Sequence, residues 1–142
     1  MVFLVTLDKD IKMIYCCNCG RDTEVELVNG SIVYPHRPDL INKNFYRCKK
    51  CGCFVGCHKG SIRPLGVIPS LEIKNARRHI HALLDPLWRA KKWGRGRGWW
   101  YHSIAYKLGI EEYHTGWTRS IEECRNVWRA IKSLIHELEN PS

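Results

Sequence analysis

Two short cysteine motifs with the same spacing constrain this chain more than any other feature of its sequence. Cys16 and Cys19 form the first pair, Cys48 and Cys51 form the second, and a glycine follows each pair. The two-residue gap lets both thiolates of a pair reach one ion, and the glycine permits a tight turn around the sulfur. Two such pairs, separated by 28 residues, are typical of a zinc ribbon. We therefore predict one structural Zn²⁺ ion bound by all four thiolates, with no open position for hydrolytic chemistry.

The chain holds eight cysteines, a number that is also compatible with the disulfide framework of a secreted protein. Its apolar start, MVFLVTL, covers seven residues without a basic lead-in and is predicted to be a strand, neither a signal peptide nor a membrane span. We therefore expect a cytoplasmic protein whose closely spaced cysteines bind metal. Cys17 is interpreted as a bystander, and Cys53 as a packing residue.

The sequence changes its pattern near residue 65. Residues 1–65 are rich in β-branched and aromatic residues, whereas apolar side chains in residues 66–142 recur with a helical period. We predict an α+β protein. Its N-terminal zinc ribbon, a small antiparallel sheet in residues 1–65, is expected to pack against a C-terminal helical part of three to four helices in residues 66–142.

Turn signals predict the strands of the first part. Asn29-Gly30 is a strong hairpin signal and predicts that residues 24–28 pair with residues 31–35. A further strand is predicted near residues 44–47, directly before the second cysteine pair.

Breaking residues divide the helical part. Asp85-Pro86 predicts a kink or a fresh start within a helix that follows Ser70. The segment KKWGRGRGWW, residues 91–100, is predicted to be a loop because three of its central five residues are glycine. A short helix over residues 99–108 is expected to stop at Gly109.

The last helix carries the clearest start signal. Ser120 and Glu123 form a capping box. The apolar stripe that follows is interpreted as a packing surface.

Positive charge is concentrated in the middle of the chain. The formal net charge is +9, and residues 74–107 hold nine lysines and arginines but one acidic residue. Such a field favours an anionic partner such as nucleic acid, and the interleaved aromatic residues can stack on unpaired bases. At least one of Trp99 and Trp100 is expected in the core. The predicted DNA- or RNA-binding residues are Arg77, Arg78, Arg89, Lys91, Lys92, Trp93, Arg95, Arg97 and Trp99.

Two other functions stay open. A basic surface can also dock on another protein, such as a polymerase, a nuclease or a defence complex, which would make the chain an inhibitor or modulator. An enzyme, such as a nuclease, is less favoured. The pair at positions 81 and 85 has the spacing of a structural hydrogen bond on one helix face. The candidate catalytic residues are His58, His81, Asp85 and His114, and Cys57 and Cys124 are the further candidates for a second site with these histidines.

Longer motifs carry a resemblance to a known family. They are VYPHRPDL, VGCHKG, PLG, ARRHIHALLDPLW and HTGW, together with both cysteine pairs. Between Cys16 and about Cys124 the chain resembles an uncharacterised family of small zinc-finger-containing proteins from phages and prophages, a domain of unknown function. The resemblance implies zinc binding and the cytoplasm of a bacterial host, and it implies no activity. The family has alanine in place of Cys53, which implies that this thiol is not needed for metal binding.

Overall fold

The computed structural model describes residues 11–142, so the strand predicted at residues 1–7 lies outside the described residues. The chain divides into two compact units, whose described parts are residues 11–70 and 71–142. The first unit holds a four-stranded antiparallel sheet with its strands side by side in chain order. Its elements are β1 Met13–Cys16, β2 Arg21–Asn29, the one-turn helix α1 Gly30–Val33, a 3-10 turn Pro38–Leu40, β3 Asn44–Cys48 and β4 Phe54–Gly56.

The second unit is helical. Three α-helices and two 3-10 turns alternate along it: α2 Leu71–Arg89, the turn Lys92–Gly94, α3 Arg97–Leu108, the turn Thr115–Trp117 and α4 Ile121–Glu139. The predicted fold class, α+β with an N-terminal zinc ribbon and a C-terminal helical part, is confirmed. Among the described helices, none carries an apolar stretch of the length that a membrane crossing requires.

Strand register decides which residues of the sheet are buried. Thr23 on β2 lies opposite Ile14 on β1, and Val25 lies opposite Cys48 on β3. Beyond the last strand, Ile68 adds to the edge of β1, since its N–H donates to the carbonyl oxygen of Tyr15 at 2.9 Å. The resulting core consists of Ile14, Cys16, Val25, Tyr46, Cys48, Val55 and Ile68.

The hairpin predicted at Asn29-Gly30 is wrong. β2 pairs with β3 instead, and Asn29 caps α1 because its Oδ1 accepts a hydrogen bond from the N–H of Ser31 at 2.9 Å. Glycine is needed at position 30 for space, since a Cβ there would lie 1.8 Å from the carbonyl oxygen of Leu40. Asparagine favours helix N-termini as well as turns, so the same dipeptide can start a helical turn. The strand predicted near residues 44–47 is confirmed.

The fresh start predicted at Asp85-Pro86 does not occur, because α2 continues through Pro86 to Arg89. Proline removes one backbone hydrogen bond from a helix, but Ile80 and Leu84, in the turns just before Pro86, are buried. Packing of these side chains maintains the helix to its end.

The boundaries of the other two helices test the capping signals. α3 ends at Leu108, and Gly109 caps it with φ of 70°, as predicted. The helix begins at Arg97, so the last four residues of the predicted loop 91–100 are helical. At the start of α4, the Oγ of Ser120 accepts a hydrogen bond from the N–H of Glu123 at 3.1 Å, which confirms the cap. Trp100 is fully buried, as expected for one of the two adjacent tryptophans.

Candidate metal centre and basic aromatic surface

The four predicted ligands converge on one point. Their Sγ atoms all lie within 4.8 Å of one another; Cys16 and Cys51 are 3.6 Å apart, and Cys19 and Cys48 are 3.9 Å apart. Sulfurs held about 2.3 Å from a tetrahedral zinc ion lie roughly 3.8 Å from one another. The four thiolates therefore fit one structural Zn²⁺ ion. Across residues 11–142, no second group of three or more Cys, His, Asp or Glu side chains has ligand atoms this close.

Two tight turns at strand ends bring the ligands together. Cys16 ends β1 and Cys48 ends β3. In each turn the glycine N–H donates to the backbone carbonyl oxygen of the first cysteine, from Gly20 to Cys16 at 2.8 Å and from Gly52 to Cys48 at 2.9 Å. Both glycines have positive φ, +73° and +83°, a conformation that side chains disfavour. The two C-x-x-C-G motifs thus act as predicted.

The ligands differ in acidity. Burial raises the pKa of Cys16 and outweighs the hydrogen bonds that favour its thiolate. Burial also opposes ionisation of Cys51, but hydrogen bonds from the Cys53 backbone N–H and from Asn18 outweigh it and lower its pKa to about 6. Because zinc binds thiolates, metal binding to this set releases protons, chiefly from Cys16 and Cys19, whose pKa values are raised.

Cys53, which lies next to the metal centre, is not needed as a ligand in this arrangement. Cys53 is half-buried and packs against the core of the first unit, and burial raises its pKa to about 11. All eight cysteines lie among the described residues, and none forms a disulfide. The prediction of Cys53 as a packing residue agrees with this position.

Residues 88–101 of the second unit, which we call the basic aromatic segment, stack cations on aromatic rings. Trp88 and Tyr101 were not predicted as site residues, although the four-residue spacing of Arg97 and Tyr101 is a signal for contact on a helix. Each cation lies close to a ring centroid: Arg89 5.2 Å from Trp88, Lys92 4.7 Å from Trp93, Arg95 4.8 Å from Trp99 and Arg97 4.0 Å from Tyr101.

A buried tryptophan anchors this segment. The ring of Trp100 contacts Trp99 edge to face at a centroid distance of 5.1 Å and lies 6.4 Å from Trp93. The turn before α3 is strained, since Lys91 and Trp93 have φ of 50° and 56°. Such residues cost about 1–3 kcal/mol each and cluster at functional sites. The segment thus packs on a buried aromatic ring in a backbone conformation that residues other than glycine seldom adopt.

The predicted nucleic-acid-binding residues divide by exposure. Arg77 is half-buried, and its guanidinium donates to the hydroxyl of Thr118 at 3.0 Å and to the carbonyl oxygen of Thr118 at 2.6 Å, so it connects α2 to the loop before α4. Trp93 and Trp99 are half-buried. The exposed members are Arg78, Arg89, Lys91, Lys92, Arg95 and Arg97.

The weaker catalytic candidates lie in three separate surroundings. On α2, Nδ1 of His81 is 3.2 Å from an oxygen of Asp85, as the four-residue spacing predicted, and the indole N–H of Trp88 donates to the same carboxylate at 3.0 Å. His114 contacts Glu112, and its ring lies 4.1 Å from that of Trp117, tilted by 52°. His58 follows β4 in the first unit.

Comparison with known proteins identifies the family. No curated protein and no solved structure matches the chain. A family model described as a zinc-finger-containing domain matches residues 12–134, a range that contains the whole metal centre and the basic aromatic segment. The match covers most of the sequence, and the converging thiolates supply the metal site that its description requires. The chain therefore belongs to this family of zinc-finger-containing domains, a domain of unknown function.

Proposed function

We propose that this protein binds nucleic acid, DNA or RNA, through the basic aromatic segment, in a regulatory or accessory role within a phage or prophage context. The observation that carries the proposal is the row of four cation–ring pairs on residues 88–101. The zinc ion holds the first unit together and takes no part in chemistry, because four thiolates leave no open coordination position.

The charge of the segment is neutralised at one position only. Asp85 is the one acidic residue among residues 74–107, and its carboxylate contacts His81 and Trp88 and lies 3.9 Å from the guanidinium of Arg89. Lys91, Lys92, Arg95 and Arg97 form no ion pair within the described part of the chain. A surface with this excess charge attracts phosphates and releases their counterions on binding.

The stacked pairs indicate how bases and phosphates are both contacted. A guanidinium plane that lies on an aromatic ring keeps its edge N–H groups available for phosphate, and its outer face can stack on a base. Because the cations already cover the rings, bases are expected to stack on the outer faces of the arginine planes. This differs from the direct base–tryptophan stacking that the sequence suggested.

The test is fluorescence anisotropy with zinc-loaded protein and labelled single-stranded RNA, single-stranded DNA and duplex DNA. The variant Arg95→Ala/Arg97→Ala is compared with Arg125→Ala/Arg129→Ala, which removes the same charge from exposed positions of α4. We expect the first variant to reduce the duplex salt slope by about 2 units, since each phosphate contact contributes about 0.9. The control should retain the slope.

Two results would overturn the proposal: no binding to any probe at about 50 mM salt, or equal losses in both variants. The first result would favour the alternative, an inhibitor or modulator that docks on a host polymerase, nuclease or defence protein.

A further inference from the structure

A pocket in the first unit lies beneath the VGCHKG motif, which neither zinc binding nor the basic aromatic segment explains. Its volume is about 280 Å³. Lys43, His58 and Lys59 line it together with Asn42, Asn44 and Gly60, and no carboxylate does. We call it the His58 pocket.

The loop that forms this pocket is held in place at several points. The hydroxyl of the fully buried Tyr46 donates to the carbonyl oxygen of Ile62 at 2.7 Å. The side-chain amide of Asn44 donates to the carbonyl oxygen of Ser61 at 3.1 Å, and the N–H of Ser61 donates to the carbonyl oxygen of His58 at 3.0 Å. Two side chains from β3 thus fix a turn whose tip carries cations, so the pocket is pre-organised.

The local charge is strongly positive, although the first half of the chain is nearly balanced. Residues 40–71 contain six lysines and arginines and no acidic residue. A second pocket of this unit also has cations, Arg21, Lys49 and Lys50, but Asp22 and Glu24 line it as well. In the His58 pocket no such neutralisation occurs, and Lys43, His58 and Lys59 have no ion pair to any described residue.

Backbone donors add to the side-chain cations. Lys59 and Gly60 are the central residues of the turn, and their N–H groups find no acceptor in residues 11–142. Gly60 has φ of +67°, which allows the backbone to expose both N–H groups at the tip. Ammonium groups, an imidazole and free N–H donors without any acid are the groups that bind a phosphate oxyanion.

We propose that the His58 pocket binds a phosphate group. The phosphate belongs either to a nucleic-acid backbone or to a small phosphate ester, since both present the same oxyanion. The site stands on the first unit alone and does not depend on nucleic-acid binding by the basic aromatic segment.

Inorganic phosphate is the first probe. ¹⁵N-labelled, zinc-loaded full-length protein is titrated with phosphate against chloride at constant ionic strength, and the amide shifts of Lys59 and Gly60 are followed. We expect saturable shifts in the wild type. In Lys43→Ala/Lys59→Ala the affinity for phosphate from the titration should fall about tenfold or more, because each lost contact is a charge-assisted hydrogen bond. The control Arg21→Ala/Lys50→Ala removes equal charge from the neutralised pocket and should bind phosphate like the wild type.

Duplex DNA and adenosine monophosphate then separate the two sources. A backbone ligand predicts that Lys43→Ala/Lys59→Ala lowers the duplex salt slope by about 2 units. A small ester predicts an unchanged duplex slope but a lost monophosphate titration. Either result supports the site, and phosphate shifts that persist in Arg95→Ala/Arg97→Ala show that it is independent of the basic aromatic segment. Absence of saturable shifts, or equal shifts in wild type and Lys43→Ala/Lys59→Ala, would overturn the proposal.

Discussion

The replacement of Cys51 by serine is the sharpest test of the metal centre. Cys51 is the exposed member of the four ligands, so its side chain contributes little to packing. Surface substitutions of this kind change stability by about 0.5 kcal/mol or less. A larger loss of unfolding free energy in Cys51→Ser would therefore result from weaker zinc binding.

The expected loss follows from the size of the first unit. Its described part has a core of seven buried residues, and a module this small depends on its metal for folding. A structural zinc ion contributes about 10–16 kcal/mol to folding. Loss of one thiolate of four should remove at least a quarter of that contribution, about 3 kcal/mol or more, which is a large part of the stability of a small domain.

Cys53→Ser is the matched control, because Cys53 lies two residues from Cys51 and its N–H donates to the Cys51 sulfur at 3.5 Å. Zinc content is measured by mass spectrometry, and residue-resolved hydrogen exchange gives the free energy of opening of each unit. We expect Cys51→Ser to lose zinc and protection in residues 11–70, whereas Cys53→Ser should keep one ion and lose about 1 kcal/mol. Retention of both zinc and protection in Cys51→Ser would refute the assigned ligand set.

Four further variants test other parts of the structure. Gly30→Ala should destabilise the first unit by about 2 kcal/mol or more, because the new Cβ would lie 1.8 Å from a backbone oxygen. Gly98→Ala should instead stabilise α3 by about 0.5–1 kcal/mol, because no atom lies near its Cβ. Hydrogen exchange measures both changes. Burial raises the pKa of Tyr113 above its ordinary value of 10. The contribution of its neutral phenol to stability is therefore fully present below pH 10 and is lost as the pH rises toward the folded-state pKa. Urea unfolding from pH 8 to 11 should show a smaller loss of stability at alkaline pH in Tyr113→Phe than in the wild type, and an equal loss would contradict this cause. Ser120→Ala should cost about 1 kcal/mol in α4 by urea unfolding, since it removes the cap on Glu123, and an unchanged stability would show that the cap is dispensable.

Signals that depend on a few neighbouring residues were read correctly from the sequence. The cysteine spacing predicted the metal centre because the geometry of a C-x-x-C-G turn is local. Gly109 and Ser120 likewise marked a helix end and a helix start through their own backbone and side-chain chemistry. In each turn or cap the deciding residues are close in sequence, whereas the two cysteine pairs meet through the pairing of β1 and β3 with β2.

Signals that depend on distant packing were not decisive. Asn29-Gly30 suits a hairpin and a helix cap equally well, and the carbonyl of Leu40 above Gly30 decides between them. Pro86 stays inside α2 because Leu84 is fully buried. His58 was a candidate from the sequence, but the pocket around it was not predicted, since the side chains that fix its loop, Asn44 and Tyr46, come from another strand.

The pairing of β2 with both neighbours has a consequence for how the sheet reaches its native alignment. Cys16 ends β1 opposite Arg21, and Cys48 ends β3 opposite Val25. The pairing of both strands with β2 therefore sets the distance between the two cysteine pairs. A slip of β3 by one residue would turn Cys48 to the opposite face of the sheet, where it could not share an ion with Cys16. Zinc therefore favours the native strand register. A chain with β3 misaligned would lack one of the four ligands and bind zinc more weakly, so its strands would separate more readily.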